Sequence, residues 1–222
     1  MDDRSRNQLA RPIPTRFVLL CHARTGSNLL LRALEYHPAV ADRGEALIHE
    51  EATRIAVAAA EPHPYCPYRQ GRDAAGFLDD EVFRCADPAV TVAGFKMFYE
   101  YARWEPEMRL AWTYLVEHRD IRIIRLDRHN LFDCLVSHRL AEATGAWLQE
   151  IGSATPVEPP LLWLDPGECH DYFDRIVTWR LWADRAFQAH PVLALEYERD
   201  LCGDFDGTVS RVFQFLDRKA HV

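Results

Sequence analysis

Arginine, glycine and small polar side chains are concentrated near the start of the chain, in the segment HARTGSN at residues 22–28. The apolar run Phe17–Cys21 precedes this segment, and the leucine-rich stretch Ser27–His37 follows it and ends before Pro38. A turn between a strand and a helix leaves main-chain N–H groups unpaired at the positive end of the helix dipole. The pattern predicts an anion site, with an ordinary glycine-containing turn capped by Ser27 as the alternative.

The segment is not a Walker A loop. That motif requires G-x-x-x-x-G-K-[ST], and both the first glycine and the lysine after the second glycine are missing here. In the predicted site, Gly26 allows the main chain to approach an anion closely, and Ser27 or Asn28 donates to it. Arg24 adds a charged, fork-shaped donor.

A second group of polar residues lies in Ile121–Trp147, where the apolar stretch IRIIRL leads into a helix predicted from about Leu131 to Ala146. Arg128 lies at the end of this strand candidate, and Ser137 follows on the helix. Arginine offers bidentate charged hydrogen bonds to a phosphate, and serine offers a short neutral donor. The alternative is a charge at a helix entry and a serine on an ordinary helix face.

In this order, the two segments resemble the sulfotransferases that use 3′-phosphoadenosine 5′-phosphosulfate (PAPS). The resemblance is strongest to the bacterial carbohydrate branch, which includes the trehalose and nodulation-factor sulfotransferases. HARTGSNLL is similar to the family's 5′-phosphosulfate loop, whose core is P-[KR]-[ST]-G-[ST], although Ala23 stands where proline is usual. Arg128 and Ser137 match the arginine and serine of the 3′-phosphate site.

Two more stretches extend the resemblance from about Phe17 to Leu216. RGEALIHE at residues 43–50 is similar to a glutamate-bearing segment after the first helix of these enzymes. LALEYERDL at residues 193–201 resembles their late strand and its Y-E-x-L signature. The family usually continues into a basic segment that closes over the 3′-phosphate, whereas this chain ends at DRKAHV. Either Arg218 and Lys219 replace that segment, or nucleotide affinity is reduced, or the chain is shortened.

The resemblance implies in-line transfer of a sulfuryl group from PAPS to a hydroxyl of a carbohydrate or glycan-like acceptor, without a metal ion. Arg24 is then expected to act in catalysis beside the leaving oxygens. Arg128 and Ser137 are expected to bind the 3′-phosphate of the donor. The first loop is expected to bind the other end of the donor through Ala23, Arg24, Thr25, Gly26, Ser27 and Asn28.

The acceptor hydroxyl needs a base within hydrogen-bonding reach. Glu45 is the first candidate, because the carbohydrate branch uses a glutamate in this region, and His49 is the reserve candidate. A structural carboxylate is the alternative for Glu45. Lys96 is assigned to the substrate or sulfuryl group, with an ion pair to Glu100 as the alternative. Trp147 is assigned to stacking on the substrate, with core packing as the alternative.

The elements around these motifs alternate between strands and helices, which predicts a three-layer α/β fold with a central parallel sheet and a P-loop-like arrangement. Ligands of such folds bind beyond the carboxyl ends of the strands. The predicted strands are Phe17–Cys21, Thr91–Phe98, Ile121–Leu126 and Val192–Leu195. The predicted helices are Ser27–His37, Asp73–Ala86, Pro106–His118, Leu131–Ala146, Glu168–Ala189 and Thr208–Leu216.

The organisation predicted along the chain is a flexible lead-in at residues 1–15 and a single domain at residues 16–222. Two proline-rich loops, at residues 61–72 and 153–167, are expected to form a lid or an acceptor-binding wall. The net charge of −8 argues against broad nucleic-acid binding, which needs a basic surface. No apolar run approaches the length of a transmembrane helix.

The six cysteines lack metal-ligand spacing, so they are expected to be free thiols in the cytoplasm, with no metal site. Two other functions remain open. A small-molecule kinase is disfavoured by the missing Walker lysine, and a non-catalytic nucleotide-binding protein is consistent with the short C-terminus. The sequence does not predict the acceptor or the oligomeric state.

Overall fold

The computed structural model describes residues 13–46, 74–100, 106–147 and 160–217. The helix Ala74–Phe77 continues into a π-helical turn at Leu78–Val82, and the strand Val192–Glu196 is followed by a second π-helical turn at Tyr197–Leu201. The elements in chain order are β1 (Thr15–Cys21), α1 (Ser27–Glu35), β2 (Val40–Asp42), α2 (Ala74–Phe77), β3 (Val92–Phe98), α3 (Pro106–Glu117), β4 (Arg122–Asp127), α4 (Leu131–Thr144), α5 (Pro166–Ala186), β5 (Val192–Glu196) and α6 (Phe205–Phe215).

The described strands form one five-stranded parallel sheet in the order β2-β3-β1-β4-β5. The central strand β1 pairs with β3 on one side and with β4 on the other, so that Leu19 lies between Lys96 and Ile124. After β1 the chain first adds β2 and β3 on one side of β1, and it then crosses over to add β4 and β5 on the other side. The carboxyl end of β1 is therefore the place where a doubly wound sheet opens a crevice for ligands.

The sheet is covered on both faces, which confirms the predicted three-layer α/β architecture. Along β1, Phe17 and Leu19 pack on the side of α1 and α6, and Val18 and Leu20 pack on the side of α2, α3 and α5. These four side chains are buried. Successive strand side chains point to opposite faces, so a continuous apolar run is what a strand covered on both faces requires.

The four predicted strands are confirmed. The structure adds β2, an edge strand of three residues, which is too short to give an apolar pattern. The predicted helix at residues 73–86 is shorter and ends in the π-helical turn at Val82.

Two helices begin earlier than predicted, because an aspartate caps each of them. The last helix begins at Phe205, earlier than predicted, because the Asp204 side chain accepts a hydrogen bond from the N–H of Gly207 at 3.1 Å. Helix α5 begins at Pro166 because Asp165 accepts from the N–H of Glu168 at 3.1 Å. Residues 1–12, the loop at 61–72 and residues 153–159 of the second proline-rich loop lie outside the described residues.

Candidate functional site

The turn after β1 is capped by a glycine. Gly26 occupies the N-cap of α1 with a φ of +80°, and no side chain caps the helix. Ser27 is the first helical residue and is buried, so Ser27 is not the N-cap. The first N–H groups of a helix have no acceptor within the helix. The start of α1 therefore presents the donors and the positive dipole end that an anion site needs.

Two residues of this turn have a left-handed backbone: Arg24, with a φ of +67°, and Gly26. A Cβ atom on residue 26 would lie 2.8 Å from the ring of Tyr197, so both the backbone and the packing require glycine there. A non-glycine residue in this region costs about 1–3 kcal/mol. At Arg24 the carbonyl oxygen accepts a hydrogen bond from Arg128 Nη1 at 3.2 Å, which helps to hold the strained conformation.

The side chains of His22 and Thr25 bond within the turn. The Thr25 hydroxyl is buried and donates to the His22 carbonyl oxygen at 3.0 Å. His22 Nδ1 donates to the carbonyl oxygen of Ala23 at 3.0 Å, which leaves Nε2 as the acceptor. Burial lowers the pKa of His22 to about 4, so the imidazole is neutral at physiological pH. These bonds fix the conformation of the turn, and with it the positions of the Ala23 and Thr25 main-chain groups.

Arg24 reaches from the turn to helix α4 and the residues after it. Its Nε donates to Ser137 Oγ at 2.8 Å, and its Nη1 donates to the Trp147 carbonyl oxygen at 2.7 Å. Within the described ranges, these partners are neutral oxygens, and no carboxylate pairs with Arg24. Burial, followed by the nearby charge of Arg128, lowers the pKa of Arg24. A guanidinium without a counter-ion in such a position favours the binding of an anion.

Arg128 lies between β4 and α4 and stacks on an aromatic ring. Its guanidinium carbon is 4.6 Å from the centroid of the Tyr197 ring. Two carboxylates are near it at longer range, Asp133 at 3.4 Å and Glu198 at 3.7 Å. Both distances exceed those of strong charged hydrogen bonds, so these ion pairs act on Arg128 together with the Tyr197 ring and the Arg24 carbonyl oxygen.

The structure brings the two motifs together. Arg24 and Ser137 are separated by 113 positions in the chain and are directly hydrogen-bonded. Arg24 and Arg128 are separated by 104 positions and are joined through the Arg24 carbonyl oxygen. Both motifs follow adjacent parallel strands, β1 and β4, and the carboxyl ends of parallel strands lie at the same edge of the sheet. One anionic ligand can therefore contact both.

Lys96 is a buried cation on β3, with an exposed fraction of 2%. Its Nζ forms an ion pair with Glu45 and donates to Asn28 Oδ1 at 2.5 Å. The Lys96 N–H donates to the Gly44 carbonyl oxygen at 2.7 Å, which extends the pairing beyond β2 and brings Glu45 alongside. Lys96 thus pairs with Glu45 and not with Glu100, and it links the candidate base to the first loop through Asn28.

Glu100 is a second carboxyl group near Glu45, and from the sequence it was expected only as a partner of Lys96. Burial and then the charge of Glu45 raise the pKa of Glu100 to about 7. Its Oε2 is buried and has no hydrogen-bond partner in the described part of the chain. Its place directly after a strand at the carboxyl edge of the sheet was the available signal in the sequence.

A buried polar layer lies on the α5 side of this edge. Asp127 accepts hydrogen bonds from the Tyr99 hydroxyl at 3.0 Å, and it forms ion pairs with Arg125 at 3.0 Å and Arg180 at 3.1 Å. A small pocket of about 140 Å³ lies between β4 and β5 beside it, lined in part by Glu196. No local pattern in the sequence marks this layer, because its members come from three separate parts of the chain: the residue after β3, β4 and α5.

Trp147 and the predicted residues outside the described ranges complete the comparison with the predicted site. The Trp147 ring packs edge-on against His138, with ring centroids 5.4 Å apart, and its carbonyl oxygen binds Arg24. His49, Arg218 and Lys219 lie outside the described residues. Among the residues that the structure covers, no cluster of three or more potential metal ligands occurs, and no helix is long and apolar enough to cross a membrane.

Comparison with known proteins gives one informative similarity. The chain is 28% identical over 221 residues to Nodulation protein H from Rhizobium tropici, and the match covers 95% of this chain and 78% of that protein. No family model matches the chain. The aligned region spans both segments of the candidate site, since it covers 95% of the chain.

Proposed function

We propose that the chain is a sulfotransferase that transfers a sulfuryl group from PAPS to a hydroxyl of a carbohydrate or glycan-like acceptor. The observation that carries the proposal is the direct contact between the two motifs, in which Arg24 binds Ser137 and Arg128 binds the Arg24 carbonyl oxygen. The similarity to Nodulation protein H supports it, because the bacterial branch that both motifs resemble includes nodulation-factor sulfotransferases.

The residues at this edge fit a ligand with anionic groups at two ends. Two guanidinium groups, Arg24 and Arg128, lie close together, and within the described ranges Arg24 has only neutral partners. The start of α1 adds main-chain N–H donors. When bound, PAPS supplies a sulfuryl group whose S–O bond to the 5′-phosphate breaks during transfer.

The proposed donor contacts divide between the two motifs. The main chain from Ala23 to Asn28 holds the phosphosulfate end, and Arg128 and Ser137 hold the 3′-phosphate. Arg24 exchanges Ser137 Oγ and the Trp147 carbonyl oxygen for anionic oxygens, and charged hydrogen bonds are stronger than the neutral ones they replace. Its charge then lies beside the leaving oxygens, where a fixed cation stabilises developing negative charge without a metal ion.

The proposed proton acceptor is Glu45, which Lys96 holds through an ion pair at the edge of the first loop. Lys96 also binds Asn28, so the same buried cation orients the base and part of the donor loop. The acceptor hydroxyl gives its proton to the Glu45 carboxylate as its oxygen attacks. His49 is the reserve base, and Trp147 and Lys96 remain proposed substrate contacts.

Calorimetry with 3′-phosphoadenosine 5′-phosphate (PAP) and with ATP tests the proposal. A charged hydrogen bond to the 3′-phosphate contributes about 1.5–3 kcal/mol, so PAP should bind at least about tenfold more tightly than ATP. Arg128→Ala should remove most of this preference. Equal affinity for the two nucleotides in the wild-type protein would contradict the assignment of Arg128 and Ser137, and tighter binding of ATP with Mg²⁺ would favour a kinase.

A further inference from the structure

The π-helical turn Tyr197–Leu201 touches both motifs of the candidate site. The Tyr197 ring fills the space beside Gly26 of the first loop and stacks under the Arg128 guanidinium of the second. This turn follows β5, which pairs with β4 in parallel. It therefore lies at the same edge of the sheet as both motifs and sets the distance between them through packing.

Glu198, the next residue of this turn, binds the main chain directly after Arg128. Its Oε2 accepts a hydrogen bond from the His129 N–H at 2.9 Å, and its Oε1 accepts one from the Asn130 N–H at 3.0 Å. These bonds connect positions 68 and 69 residues apart in the chain. Both carboxylate oxygens are thus used to hold the β4–α4 turn in one conformation.

The balance of interactions keeps this carboxylate ionised. Partial burial opposes ionisation, but the His129 and Asn130 N–H groups and the charge of Arg128 outweigh it, so the pKa of Glu198 lies below its ordinary value. The contact between Glu198 and Arg128 Nε is long, at 3.7 Å. The main-chain bonds are therefore the stronger part of what Glu198 does.

We propose that Glu198 is a positioning residue for the 3′-phosphate site: it fixes the main chain after Arg128 so that the guanidinium, stacked on Tyr197, faces the anion. This inference rests on the proposed function. A side chain that only competed with the anion for Arg128 would have the opposite effect, because its removal would strengthen phosphate binding. The sign of the change in affinity separates the two roles.

The experiment measures the binding of PAP and of adenosine 5′-phosphate (AMP), which lacks the 3′-phosphate, to wild-type protein, Glu198→Ala and Glu198→Gln. We expect Glu198→Ala to weaken PAP binding about tenfold and AMP binding by no more than about twofold, since a displaced charged contact loses most of its contribution. Glu198→Gln keeps one acceptor oxygen for a main-chain N–H, so its affinity for PAP should lie between those of wild type and Glu198→Ala.

Glu196→Ala is the matched control, since it removes a carboxylate two residues earlier that lines the pocket between β4 and β5. It should bind both nucleotides as wild type does. AMP binding reports whether each variant is folded, and Glu198→Gln carries the test if Glu198→Ala does not fold.

The results separate failure of this inference from failure of the proposed function. Wild-type protein that binds PAP no better than AMP would contradict the proposed function, and the inference with it. If wild type prefers PAP, unchanged or tighter PAP binding in Glu198→Ala and Glu198→Gln would overturn the inference alone. An equal loss for PAP and AMP would also overturn it, because a general structural defect does not distinguish the 3′-phosphate.

Discussion

Arg24 and Arg128 differ in what holds their guanidinium groups. Arg24 is hydrogen-bonded to a serine hydroxyl and a carbonyl oxygen, whereas Arg128 is stacked on a tyrosine and lies near two carboxylates at longer range. In the part of the chain that the structure describes, Arg24 has no carboxylate partner, whereas Arg128 forms ion pairs with Asp133 and Glu198. At the residue scale, Arg24 is the group that keeps positive charge available at this edge of a protein whose net charge is −8.

Glu100 should make stability depend on pH in a direction unusual for a carboxyl group. Its pKa is raised from 4.5 to about 7 in the folded state, so between these values the folded protein retains a proton that the unfolded chain loses. The contribution of the protonated Glu100 to the free energy of unfolding is complete below pH 4.5 and is lost as pH rises through about 7. Glu100→Gln should therefore gain stability relative to wild type, by about 1–3 kcal/mol, between pH 5 and pH 8.

Denaturant unfolding of both proteins at several pH values measures this difference. The comparison removes the effects of other groups, including His22, whose lowered pKa of about 4 makes stability rise between pH 4 and 6.5. Glu117→Gln, at an exposed position, is the control, and its free energy of unfolding should change with pH as that of the wild type does. If the free energy of unfolding of Glu100→Gln also changes with pH as that of the wild type does, the Glu100 carboxyl group ionises normally and the prediction is wrong.

The elements determine how closely the two motifs approach each other. Parallel pairing of β1 with β4 and of β4 with β5 places three chain turns side by side at one edge. The first turn ends at Gly26, the second carries Arg128, and the third carries Tyr197, whose ring touches both. At this scale, the packing of three turns decides the shape of the candidate site.

Gly26→Ala should test the packing of these turns. For any residue with a Cβ atom, the left-handed backbone at this position alone costs about 1–2 kcal/mol. The new methyl group would also collide with the Tyr197 ring. Gly145→Ala is a matched control, because Gly145 has a similar φ of +71°, but among the described residues beyond its chain neighbours no atom lies within 4 Å of the added Cβ. Denaturant unfolding should show a larger loss for Gly26→Ala, and equal losses would mean that the Tyr197 contact is not restrictive.

The whole molecule combines a sheet buried on both faces with a polar edge. The apolar clusters on the two sides of the sheet contain β1, β3 and β4 residues in alternation, and the polar side chains are collected where the strands end. A ligand at this edge contacts turns from several strands at once. Binding should therefore stabilise the folded protein as a unit.

A thermal denaturation experiment with PAP tests this expectation. At a concentration 100 times the dissociation constant, PAP should add about 2.7 kcal/mol to the free energy of unfolding, which corresponds to a rise in Tm of roughly 5–10 °C for a chain of this length. EDTA should leave the rise unchanged, because the proposed contacts involve no metal ion. Loss of the rise in EDTA would contradict metal-independent donor binding.

Much of the fold was predictable from local patterns. The buried strands have apolar runs such as Phe17–Cys21 that differ clearly from the helices between them, and alternation of the two requires a parallel sheet. The three-residue strand β2 and the π-helical turn at Tyr197–Leu201 were not predicted. Their conformations depend on the neighbouring strand and turns and leave no periodic pattern in the sequence.

The sequence alone determined which residue types are available to an anion, because Arg24, Gly26, Arg128 and Ser137 occur in or just after two turns that follow buried strands. Only the tertiary structure decided their partners: that Lys96 pairs with Glu45, that Glu198 holds the main chain after Arg128, and that Gly26 must leave room for Tyr197. The physical reason is distance along the chain. Composition and spacing limit local conformation, whereas contacts between residues 51 to 171 positions apart depend on the order in which the strands pack.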